Sequence, residues 1–133
     1  MATTALTSAN LETSIKDNNT LVIDFWASWC APCRAFGPTF EKASEKYPTM
    51  KFVKCDTQAE QQVAGMFGVQ SIPTLAVFRE GILVFMQPGA LPPAALDDVL
   101  KQIQGLDMVK VKAEVAAEEK RLAAQKGTAP RAN

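Results

Sequence analysis

The stretch Leu21-Val22-Ile23-Asp24-Phe25-Trp26-Ala27-Ser28-Trp29-Cys30-Ala31-Pro32-Cys33 decides how the rest of this chain is read. Residues 21–27 are β-branched and aromatic, and apolar except at Asp24, the pattern of a central strand covered on both faces. The residues after Cys30 have helical character. A strand that runs into two cysteines at the start of a helix sets one thiol among the unpaired N–H groups of the first turn, at the positive end of the helix dipole. That position favours the thiolate, the reactive form of cysteine. Cys33, one helical turn on, lies close enough to Cys30 to close a disulfide.

On the N-terminal side, a short strand is followed by a short helix capped by Ser8, running to about Lys16 and stopped by Asn18-Asn19. On the other side, the helix after Cys30 should run to about Tyr47, ahead of Pro48. Pro38 inside it predicts a kink, because the hydrogen bond to the Arg34 carbonyl is lost. Residues 50–56 read as a second buried strand, and residues 58–67 as a helix closed by Gly68. Residues 74–78 and 82–85, separated by Arg79-Glu80-Gly81, read as a hairpin. Pro92 or Pro93 starts a helix that runs to about Gln104. Two βα units require parallel strands and the hairpin adds antiparallel ones, so the fold class is α/β with a mixed sheet flanked by helices. Residues 107–126 are rich in Ala, Lys and Glu and predict one further helix, with Met108, Val111, Val115 and Leu122 as a thin apolar stripe. The expected organisation is a globular domain over 1–105, a helical extension over 106–126 and a disordered tail over 127–133.

Composition narrows the function. The 133 residues fit one domain, and 47% hydrophobic with 21% charged residues is a globular profile. Lys plus Arg and Asp plus Glu both count 14, so no broad field attracts nucleic acid or an anionic membrane surface. No apolar run approaches a membrane span, and the N-terminus lacks the basic start and apolar core of a secretory signal. The expected location is the cytoplasm, where structural disulfides are not maintained. A cysteine pair there is catalytic or metal-binding. Histidine is absent, which removes the commonest general base and metal ligand. Zinc needs four ligands, or three and a water. With Cys55 the one remaining sulfur, no metal is expected unless two chains share it.

Asp24 is a carboxyl in the middle of an apolar strand. Ionised and unpaired it is costly to bury, so its pKa should be raised, which suits proton exchange with the Cys33 thiol. The plain alternative is an Asp whose hydrogen bonds tie strand to helix. Lys54, on the neighbouring predicted strand, could bring its ammonium toward Asp24, or be a solvated surface lysine. Trp26 reads as core support beneath the site, and Cys55 as a packed core thiol.

The segments Val22-Ile23-Asp24-Phe25-Trp26-Ala27, Trp29-Cys30-Ala31-Pro32-Cys33-Arg34, Pro38, Phe67-Gly68-Val69, Ile72-Pro73-Thr74 and Gly89-Ala90 resemble the thioredoxin family in order and spacing. The likeness covers residues 6–104. It departs from the family in two places: Ala31-Pro32 stands where Gly-Pro is usual, and a helix is predicted beyond Gln104. The resemblance implies the thioredoxin fold, with a central mixed five-stranded sheet, and a dithiol that reduces protein disulfides. Cys30 would be the nucleophile, Cys33 the resolving thiol, and Asp24 the proton exchanger. Pro73 would be cis, leaving the Ile72 backbone free for an extended substrate segment. Trp29, Ala31, Pro32, Ile72, Gly89 and Ala90 would form an apolar ring around Cys30. Electrons would come from an NADPH-dependent thioredoxin reductase. The chain has no dinucleotide fingerprint and should bind no cofactor. One rival is an oxidant of the disulfide-isomerase kind, although those relatives carry His where Pro32 stands. A second is an interaction module whose 106–126 helix docks on a partner or a second copy.

Overall fold

A run that is apolar except at Asp24 needs cover on both faces, and β2 (Thr20–Trp26) obtains it as the middle strand of five. The computed structural model describes residues 2–125. The described residues up to Ile103 and those from Gln104 on form two compact units, each described by itself. In the first, β1 (Thr3–Ala5), α1 (Leu11–Asp17), β2, α2 (Ala31–Lys46), β3 (Lys51–Asp56), α3 (Gln61–Met66), β4 (Thr74–Arg79), β5 (Ile82–Pro88) and α4 (Pro93–Gln104) follow in that order. The sheet order is β1-β3-β2-β4-β5. β1 and β2 pair with β3 in parallel, and β4 pairs antiparallel with β2 and β5. The mixed sheet flanked by helices is therefore as expected.

Strand alternation sorts the core into two layers. Leu21, Ile23 and Phe25 point to one face, where they pack with Leu6, Leu11, Val53, Cys55, Val63 and Ala76. Val22, Asp24 and Trp26 leave the other face. Phe40 of α2 lies over that face, its ring 5.3 Å from Phe52 and 5.9 Å from Phe36. α2 runs through Pro38 without a break.

Several element ends differ from the sequence reading. α1 starts at Leu11, not after Ser8. The Asn10 side chain accepts from the Thr7 N–H (2.8 Å) and donates to the Ala5 carbonyl (3.0 Å), and the Ser8 N–H donates to Glu60 Oε1 (2.8 Å), so a turn precedes the helix. α3 starts at Gln61 rather than 58; Asp56 Oδ1 accepts from the N–H groups of Gln58 (2.9 Å) and Ala59 (3.3 Å), capping a turn that precedes the helix. β5 runs on to Pro88, with a register shift opposite Val77 and Phe78. The hairpin turn carries positive φ at Glu80 (50°) and Gly81 (82°), the backbone of a two-residue primed turn.

In the second unit α5 (Met108–Gln125) forms the helix expected there. Met108 is buried, Val111 and Val115 are half-buried, and Leu122 and Val109 are exposed. The tail expected over 127–133 lies outside the described residues, as does Lys126. Among the described residues no helix is long and apolar enough to cross a membrane.

Candidate active site

The end of β2 hands the chain to α2 through Ala27-Ser28-Trp29-Cys30. The Cys30 N–H donates to the Ala27 carbonyl (3.2 Å) and the Arg34 N–H to the Cys30 carbonyl (3.1 Å). Cys30 is the N-cap of α2, in extended backbone (φ −89°, ψ 110°), and its sulfur accepts the backbone N–H of Cys33 at 3.2 Å. A cap normally uses a Ser, Thr or Asp oxygen. Here a sulfur takes that place, so a free donor at the helix start, the Cys33 N–H, is directed at the atom whose negative form does chemistry. Pro32 occupies the first turn of α2, where its missing N–H costs no hydrogen bond.

Cys30 and Cys33 are joined in a disulfide, with their Cα atoms 5.2 Å apart. Both are buried and pack with Ala27, against partly buried Trp26 and Ile72. The Ile72–Pro73 peptide bond is cis, and the Ile72 carbonyl oxygen lies 3.7 Å from Cys30 Sγ. Two further bonds fix that loop. The Thr74 hydroxyl donates to the Ser71 carbonyl (2.7 Å), and the Gly89 N–H donates to the Pro73 carbonyl (2.7 Å). Gly89 has φ +107°, a conformation that L side chains rarely adopt. Trp29 is 63% exposed, and Ala31, Pro32, Gly89 and Ala90 are also exposed, so the cover around the sulfurs is thin and largely apolar.

Asp24 is fully buried, and neither carboxylate oxygen has a hydrogen-bond partner. It does not tie strand to helix. Burial pushes its pKa up from 3.8 to about 7, with Lys54 pulling in the opposite direction. Lys54 is its register partner on β3. The Lys54 ammonium makes no ion pair with it and lies over the Trp26 ring, 4.6 Å from the centroid. Cys55 belongs to the opposite core layer, fully buried, and burial with Glu60 and Asp56 nearby pushes its thiol up to about 12.

Three groups that hold this site were not singled out from the sequence. The Thr74 hydroxyl fixes the cis-proline loop. The Arg34 guanidinium donates to the Ser28 carbonyl (2.9 Å) and clips the Trp29 loop to α2. The Thr57 N–H and hydroxyl both donate to the Trp26 carbonyl (2.9 and 3.1 Å). Arg34 and Thr74 stand inside segments that carry the family likeness, though no role was read for them, and nothing in the sequence marks Thr57.

The family model for thioredoxin matches residues 2–102. A putative thioredoxin 2 from Streptomyces coelicolor is 49% identical over 118 residues, 89% of this chain and 88% of that protein. A span of that length includes part of α5. Thioredoxin 1 from Nostoc sp. is 35% identical over 103 residues, 76% of this chain and 96% of its own. Among solved structures, oxidised mitochondrial thioredoxin 3 from Saccharomyces cerevisiae superposes with a TM-score of 0.69 at 35% identity, covering 75% of this chain and 93% of that one. The chain belongs to the thioredoxin family, and its disulfide-forming Cys30–Cys33 pair makes it a protein thiol–disulfide oxidoreductase.

Proposed function

We propose that the protein is a cytoplasmic reductant of protein disulfides, recharged by an NADPH-dependent thioredoxin reductase, with residues 1–105 as the redox domain. The Cys30 thiolate attacks one sulfur of a substrate disulfide, forming a mixed disulfide and releasing the other substrate sulfur as a thiolate. Asp24 takes the proton of the Cys33 thiol, and the Cys33 thiolate then attacks Cys30 Sγ. The second substrate sulfur leaves, two electrons have passed to the substrate, and the Cys30–Cys33 disulfide remains. Trp29, Ala31, Pro32, Ile72, Pro73, Gly89 and Ala90 form the docking surface. The free backbone of Ile72 pairs with an extended substrate segment, and the apolar ring selects little by side chain.

The observation that carries this reading is the Cys33 N–H directed at Cys30 Sγ in the N-cap of α2. That geometry favours a negative sulfur at the position a substrate reaches first. Reduction of insulin disulfides with the reductase and NADPH tests it. Activity is expected in the wild type and lost in Cys30→Ser; a Cys30→Ser variant that still reduces insulin refutes it. A redox potential in the range of disulfide isomerases would instead favour an oxidant.

The second reading gives the 106–126 helix a docking role, on a partner or a second copy. It is favoured by the exposure of Val109 (81%) and Leu122 (41%) on α5. Deleting residues 106–133 and comparing mass in solution with insulin reduction separates the two roles.

A further inference from the structure

Asp24 and Lys54 are register partners on neighbouring parallel strands, so their side chains leave the same face of the sheet. Asp24 is fully buried and its oxygens have no partner, while Lys54 is half-buried. An ammonium beside a bare carboxyl ordinarily closes on it. Here it turns to the face of Trp26, the next residue of β2 on the same side, 4.6 Å from the ring centroid. Thr57 holds the backbone of Trp26 through two hydrogen bonds to its carbonyl. Lys54 Nζ lies beside Gly37 of α2, 3.8 Å from where a Cβ would stand.

We propose that Trp26 is a positioning residue, whose indole face holds the Lys54 ammonium off Asp24 and so keeps that buried carboxyl unpaired. The energetic balance is narrow enough for a ring to decide it. Closing on Asp24 would draw the ammonium from a half-exposed place into a dry one, at a desolvation cost that can cancel the attraction. A cation over an indole is attracted without that loss of hydration. Lys54 is the charge that acts on Asp24. Its partner on β4, Leu75, is apolar, and Cys30 and Cys33 do not titrate while joined.

The test is the titration of the Asp24 carboxyl carbon by NMR in the oxidised protein, for wild type, Trp26→Leu, Lys54→Met and the double variant. Trp26→Leu should titrate lower than wild type by about one pH unit or more, because Lys54 is released onto the carboxyl. In the Lys54→Met background the same change should produce no fall. A fall of equal size in both backgrounds means that water has entered, and overturns the proposal. So does the absence of any fall with Lys54 present. Should Trp26→Leu not fold, the wild type alone decides: the Lys54 ε-methylene protons should be shifted upfield by the ring, and a random-coil position sinks the idea. The titration does not depend on the proposed role of Asp24 in proton exchange, so the two readings can fail separately.

Discussion

The backbone N–H of Cys33 donates to the sulfur of Cys30 across 3.2 Å, inside the ring that their own disulfide closes. The same donor faces the Cys30 sulfur whenever α2 keeps its first turn, and in the reduced protein it opposes the proton and favours the thiolate. Cys30 should therefore titrate well below the ordinary thiol value of about 8.5, and Cys33 above Cys30. Thiolate absorbance against pH, together with the pH dependence of iodoacetamide labelling, measures both. A Cys30 no more acidic than free cysteine would remove the basis of the proposed mechanism.

Asp24 predicts an inverted pH dependence of stability. Its folded pKa of about 7 lies above the unfolded 3.8, so the folded chain holds a proton that the unfolded chain releases between those values. The contribution is complete below about pH 4 and is lost as pH rises through about 7. Asp24→Asn should match the wild type near pH 4 and exceed it at pH 8, by at most roughly 4 kcal/mol. Urea unfolding at the two pH values checks this; equal stabilities at pH 8 would contradict it. The same variant should slow insulin reduction about tenfold or more at pH 7, with the gap narrowing as hydroxide takes over.

Trapping follows from the division of labour between the sulfurs. Cys33→Ser should accumulate mixed disulfides through Cys30, released by dithiothreitol and visible on non-reducing gels. Cys30→Ser should trap little, because Cys33 is 2% exposed and sits deeper than its mate. Comparable trapping by both variants would reverse the assignment.

Cys55 should be inert. It is fully buried and its thiol is pushed up to about 12, so native protein should leave it unlabelled by iodoacetamide until unfolded. Cys55→Ser puts a hydroxyl into that apolar layer and should cost about 1–3 kcal/mol. Unchanged thermal stability would count against the burial described here.

Asp97 supplies a control away from the disulfide. It accepts from the Tyr47 hydroxyl (2.5 Å) and pairs with Lys46 (2.8 Å) and Lys101 (3.1 Å), joining the end of α2 to α4. The Lys46 and Tyr47 bonds hold its carboxyl well below the usual range. Its contribution is present above the unfolded carboxyl pKa and fades as pH falls below it. Asp97→Asn should lower the melting temperature at pH 7, less so near pH 3, with insulin reduction intact.

The chain itself determined the architecture and the reacting pair. An apolar strand of seven residues can be satisfied only in the middle of a sheet, and Cys-Ala-Pro-Cys at a strand-to-helix junction sets one sulfur on a helix start. Those are local constraints, written in neighbouring residues. The starts of α1 and α3 were not legible, because turns held by the side chains of Asn10 and Asp56 stand ahead of both helices. Only the tertiary structure decided which side chains meet. Lys54 over Trp26 rather than on Asp24, Gly89 tied to Pro73, and Thr57 under the Trp26 carbonyl all join residues far apart in the chain. Such choices follow from strand register and from competition between desolvation and attraction, neither of which a linear pattern records.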